Sequence, residues 1–153
     1  MRRLSLATSK KKIFKMEQYH GTNSQNAINI SNGQVNVNLG GGELGKGFYT
    51  GDLSFEAFNW AWHQYGQDKA VVKFTIDDND FLNLNPICPD IRETHWYRRM
   101  IRNKGETRTF LFNVNAIWAP VVGKQFYNFN QIKFESNNAE NLINGTAVIK
   151  TIF

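Results

Sequence analysis

Three short segments hold residue types that could do chemistry: Tyr19-His20-Gly21-Thr22, Gly45-Lys46-Gly47-Phe48-Tyr49-Thr50, and the stretch from Gln131 to Glu135. A histidine beside a glycine offers a hydrogen-bonding ring next to backbone that a ligand can approach closely. Taken alone, it more often describes a satisfied polar residue at a strand end. Gly45-Lys46-Gly47 is not a phosphate loop, which needs Gly, four residues and Gly-Lys-Ser/Thr opening a helix. The sequence contains no Gly-x-Ser-x-Gly elbow and no His-Glu-x-x-His, and His20, His63 and His95 lack metal-ligand spacing. A metal site is therefore not expected.

In this order and at these spacings, the segments resemble the NAD-dependent ADP-ribosyltransferases of the diphtheria-toxin and poly(ADP-ribose) polymerase type. His20-Gly21-Thr22 matches the family's His-Gly-Ser/Thr on a first strand, and Gly45 to Thr50 matches its Gly-Lys-Gly-Ile-Tyr-Phe. Eleven residues beyond Tyr49 stands Trp60, preceded by Asn59, where the polymerase branch places a second aromatic in a helix. Tyr19 to Thr22, Leu44 to Tyr49, Ala57 to Ala61 and Gln131 to Phe134 are also similar to motifs of small bacterial domains of this superfamily. The resemblance covers about residues 17 to 143.

The resemblance implies a split β-sandwich of two small sheets with short peripheral helices, and NAD as co-substrate. It implies that Tyr49 and Trp60 sandwich the nicotinamide, that Gly21 backbone bonds its carboxamide, that His20 bonds the adenosine ribose, and that Thr22 lies near the nicotinamide ribose. Those types suit the reaction. Breaking the nicotinamide–ribose bond passes through an oxocarbenium-like state, so the ring must be held flat and the ribose oriented. Offset stacking contributes roughly 0.5 to 1.5 kcal/mol beyond area burial.

Two positions depart from the family. Gln131 stands where the catalytic Glu is expected, and Ala57 where a Ser bonds the carboxamide. Gln131 can bond a ribose hydroxyl, but an amide is no general base. On a strand, residues 131, 133 and 135 share a face, which puts Glu135 about 13 Å from Gln131 on the same side. Glu135 reads either as a displaced acid or as an exposed strand-end residue. The missing Glu argues against polymer synthesis and for a single transfer of ADP-ribose to a macromolecular acceptor, protein or nucleic acid. The alternative is a non-catalytic NAD or ADP-ribose binding relative.

The elements that must position these residues are short and mixed, and the expected class is α+β. A first strand ends near His20, and Thr22 or Asn23 caps a helix through Ile30. Asp52 or Ser54 caps a helix over about 53 to 65, whose aromatics (Phe55, Phe58, Trp60, Trp62) imply deep burial. Residues 69 to 76 alternate as a strand closed by a polar turn, Asp77 to Asp80. Phe81, Leu82 and Leu84 make a short apolar run. Residues 91 to 104 read as a helix with Trp96, Tyr97, Met100 and Ile101 inward. Strands are expected at 109–114, 117–122, 131–135 and 146–153, with a brief helix at about 138–143.

The chain has 153 residues, 41% of them apolar and 20% charged, which suits one folded domain. Cys88 is the only cysteine, so neither an internal disulfide nor a cysteine zinc cluster can form. No apolar run approaches the roughly 18 to 20 residues of a membrane helix. The net charge of +5 is localised: residues 1 to 15 carry six basic side chains and no acid, while 16 to 153 hold 12 basic against 13 acidic residues. The expected division is thus a basic segment, 1–15, and a near-neutral domain, 16–153. The leader lacks the apolar core of a signal peptide, so a cytoplasmic site of action is expected, in the producing cell or, for a toxin-like protein, in a target cell. Arg92, Arg98, Arg99, Arg102, Lys104 and Arg108 form a basic face that is either solvated or receives the NAD diphosphate or a nucleic acid. A nucleic-acid-binding protein led by the basic segment is the third class of function the sequence admits.

Overall fold

The computed structural model describes residues 14–123 and 129–153. Its elements run β1 (Lys15–Asn23), α1 (Ser24–Ser31), β2 (Phe48–Gly51), α2 (Ser54–Tyr65), a 3-10 turn (Gly66–Asp68), β3 (Lys69–Asp77), α3 (Asp78–Leu82), α4 (Ile91–Asn103), β4 (Ala116–Pro120), β5 (Asn130–Phe134), α5 (Asn137–Asn144) and β6 (Ile149–Ile152). The α+β class is as expected. Of the expected leader, 1–15, residues 1–13 lie outside the described residues, and Lys15 already belongs to β1.

All six strands join one antiparallel sheet in the order β4-β5-β2-β1-β3-β6, where two small sheets were expected. The join is narrow. β1 pairs with β3 over nine residues but with β2 at a single register position, Tyr19↔Gly51. The reason lies in one side chain: His20 turns between the strands, its Nδ1 lies 2.6 Å from the Tyr49 carbonyl oxygen, and its ring stacks on Phe48 with centroids 4.3 Å apart. A side-chain bond thus takes the carbonyl that a continued ladder would have used.

One face of the sheet builds the main core. Phe48, Val72, Phe74, Ile76, Ile132 and Phe134 meet Ala27 and Ile30 of α1, Phe81 of α3, and Ala139 and Ile143 of α5. On the other face α2 crosses β1 and β3, and Leu44, Ile117 and Ala119 form a smaller cluster. Every side chain of β5 after Asn130 is buried, so the strand is covered on both faces.

Local chemistry accounts for most boundaries. Asn23 caps α1 by accepting from Asn26 N–H, and Asp90 with Glu93 forms a reciprocal capping box on α4. Several expectations are corrected. The polar turn at Asp77 is a helix start, because its carboxylate accepts from Asn79 and Asp80 N–H and opens α3. Helix α2 has no side-chain cap, because Asp52 instead accepts from the Asn130 backbone and amide. The aromatics of α2 are not deeply buried: Phe55, Trp60 and Trp62 are each about half exposed. Trp96 of α4 is likewise exposed; the fully buried positions are Thr94 and Ile101, and Tyr97 packs partly buried against Leu44, Ile117 and Ala119, as expected of an inward position. Residues 109–114 are not a strand, because the Thr109 and Phe110 amides turn back onto Glu106 O and those of Phe112 and Val114 bond a carboxylate rather than a neighbouring strand, as described below.

Candidate functional site

Where β1 and β2 part beyond Tyr19, a cleft of about 610 Å³ opens between the strands, the Gly40–Gly47 loop and α2. This lies within the usual range for small-molecule sites. His20, Gly21, Tyr49, Ala57, Trp60 and Gln131 all line it. Residues from four separate segments, spread over more than a hundred positions, are thereby brought together. Thr22 and Glu135 do not line the cleft. Thr22 is buried in the β1–β3 ladder opposite Ala70.

Gly21 is required by the packing of α2. A Cβ there would collide with the Ala57 carbonyl oxygen, so only glycine lets the helix lie against the strand and carry Ala57 and Trp60 to the cleft wall. Tyr49 is held at its far end: its hydroxyl donates to Gly45 O at 2.6 Å and accepts from Leu44 N–H at 3.1 Å. Gly42 lies against the same ring, where a Cβ would come within 2.8 Å of Cζ. Burial pushes the Tyr49 hydroxyl far above the usual phenol range, so it remains protonated. Trp60 meets only the edge of Tyr65 among the described aromatics, at 6.0 Å between centroids, and stays half exposed.

The His20 contact fixes its tautomer. A carbonyl oxygen can only accept, so Nδ1 carries the proton and Nε2 is left with a lone pair. Burial lowers the imidazole pKa, against a smaller opposing effect of the Tyr49 carbonyl, and the ring is neutral at pH 7.

Charges of both signs border the cleft. Of the basic face, Arg98 and Arg108 line it, and the exposed Arg92, Arg99, Arg102 and Lys104 do not. Glu43 and Glu56 also line it. Glu43, the one acid in the Gly40–Gly47 segment, was missed by the motif reading. Its Oε2 accepts from Gln131 Nε2 at 3.0 Å and from Val122 N–H at 3.3 Å, and its Oε1 lies 3.5 Å from Arg98 Nε. Gln131 Nε2 donates in addition to Pro120 O at 3.3 Å.

Glu135 is neither an exposed strand end nor a group in the cleft. Its carboxylate accepts from Phe112 N–H at 2.8 Å and Val114 N–H at 3.2 Å, and pairs with Lys133 Nζ at 2.7 Å. Lys133 is wholly buried and donates to Leu44 O at 2.7 Å. Desolvation lowers its pKa, and the pairing with Glu135 opposes that shift. The shared face of residues 131, 133 and 135 thus places one residue in the cleft and a buried ion pair behind it.

Among the described residues no cluster of His, Cys, Asp or Glu could hold a metal ion, and no helix is long and apolar enough to cross a membrane. Cys88 is exposed and unpaired. No protein-family model matches the chain, and no curated protein matches it in sequence.

Proposed function

We propose that this protein is an NAD-dependent mono-ADP-ribosyltransferase that cleaves the nicotinamide–ribose bond of NAD and transfers ADP-ribose to a macromolecular acceptor, protein or nucleic acid. The observation that carries this reading is the convergence of His20, Gly21, Tyr49, Trp60 and Gln131 on one cleft. The parting of the sheet at His20 supports reading its two three-stranded halves as the split sandwich of that family.

The chain's own groups suit the reaction. Tyr49, held at its hydroxyl, and Trp60, held loosely, offer aromatic faces for a nicotinamide ring. The β2-facing edge of Gly21 offers backbone groups for a carboxamide. The lone pair of His20 Nε2 accepts from a ribose hydroxyl, and Arg108 at the rim offers a cation to a diphosphate. Bond breaking sends the electron pair of the C1′–N bond to the nicotinamide nitrogen. The acceptor's lone pair then forms the new bond at C1′, and its proton leaves to solvent. Because NAD is an intracellular co-substrate, the reaction belongs to a cytoplasm.

A second reading, an NAD-binding relative without turnover, is favoured by Gln131 and Ala57 standing in place of the family's Glu and Ser. Nicotinamide release from NAD by the purified full chain, with and without cell lysate, tests both. Release that rises with lysate and is lost in Tyr49→Ala supports the transferase. Saturable binding without release supports the binding relative, and absence of binding overturns both.

A further inference from the structure

The geometry points to Glu43 as the residue that supplies, through Gln131, the negative charge that the reaction needs and the strand position itself lacks. This rests on the transferase reading above. Both groups that receive the Gln131 amide nitrogen are pure acceptors: the Glu43 carboxylate at 3.0 Å and the Pro120 carbonyl at 3.3 Å. The NH₂ end must therefore face them, and the amide carbonyl oxygen must face away. Among the described residues no donor bonds that oxygen, and Gln131 lines the cleft.

Gln131 is thus presented to a bound ribose as an acceptor only, the hydrogen-bonding character of a carboxylate oxygen. The charge that an amide lacks sits one hydrogen bond behind it. A chain of this kind polarises, because the carboxylate draws on the amide N–H and raises the electron density on the carbonyl oxygen. Glu43 is fixed for the task from three sides, by Gln131, by Val122 N–H and by Arg98. As the C1′–N bond breaks and positive charge grows on the ribose ring, Glu43 and Gln131 together hold a negative and an acceptor group at the cleft wall. No proton need pass to either residue in that step. Glu43 is a positioning and electrostatic residue, and Gln131 is the group that touches substrate.

The test uses the full chain and NAD itself, with binding read by calorimetry, turnover by nicotinamide release and folding by thermal melts. E43Q preserves shape and can still accept from Gln131, so a merely structural role would leave it active. The expected result is a fall in kcat of about 30-fold or more with NAD affinity unchanged within about twofold. The swapped double variant, E43Q with Q131E, restores a carboxylate to the pair and is expected to recover most of that loss. Wild-type turnover in E43Q, or a double variant as slow as E43Q, overturns the proposal and leaves the transferase reading standing. A wild-type chain that binds NAD without releasing nicotinamide overturns it in favour of the binding relative. Absence of NAD binding by the wild type removes the transferase reading and this proposal together.

Discussion

Tyr49 and Trp60 face the same cleft under unequal restraint. The tyrosine hydroxyl is bonded twice to the glycine loop, whereas the tryptophan is half exposed. Trp60→Ala is therefore the cleaner probe of ring stacking. It should weaken NAD binding about tenfold or more by calorimetry, while shifting stability by less than about 1 kcal/mol in denaturant unfolding. His20 sets a pH dependence. Its folded pKa lies below the ordinary 6.5, so the unfolded chain binds more protons in the interval below that value. Its contribution to stability is complete above pH 6.5 and is lost as pH falls through the lowered folded pKa. Urea unfolding between pH 7.5 and 5 should show this decline, and it should be smaller in His20→Asn, whose amide can still donate to Tyr49 O but does not titrate. An equal decline in both proteins would mean that His20 is not its source.

At the scale of elements, β5 does two jobs on one face. Its start presents Gln131 to the cleft, and two residues further Lys133 pins the glycine loop through Leu44 O. Glu135, just past the strand, answers the Lys133 charge and takes the amides of Phe112 and Val114, which holds residues 110–114 in place without a ladder. Removing the carboxylate leaves the charge of the buried Lys133 ammonium uncompensated and two part-buried amides without their acceptor. Glu135→Ala should therefore cost about 3 to 5 kcal/mol in unfolding free energy. Nicotinamide release per folded molecule, compared at a temperature where the variant is still native, should change little. A stable variant with lost turnover would instead return Glu135 to the chemistry. The first helix offers a smaller test: Asn23→Ala removes the cap on Asn26 N–H and should cost about 1 kcal/mol in the same assay.

For the whole molecule, charge is unevenly distributed along the sequence. Residues 1–13 carry five basic side chains, and the remaining chain is close to neutral. Any affinity of the full chain for nucleic acid should fall steeply with salt and vanish when residues 1–13 are deleted, with NAD binding unaltered. Filter binding across a salt series checks this, and affinity that survives the deletion would move the contact to the arginines of α4. Much of the local structure was legible beforehand. The alternation of residues 69–76, the cap at Asn23, the glycine segment and the face shared by Gln131 and Glu135 each follow from short-range stereochemistry, because period, capping and turn geometry are properties of neighbouring residues. What sequence could not set was the partner of each polar group. Asp52 serves Asn130 rather than its own helix, Glu135 bonds a loop more than twenty positions away, and Glu43 meets Gln131 across 88 positions. Nor could it decide which aromatics are covered, since burial depends on what the rest of the chain lays over them. The sequence by itself determined most of the helices and strands and the residue types that line the cleft. Only the tertiary structure decided that His20 parts the sheet and that a carboxylate stands behind Gln131, because hydrogen bonds between distant segments are chosen by packing, not by spacing along the chain.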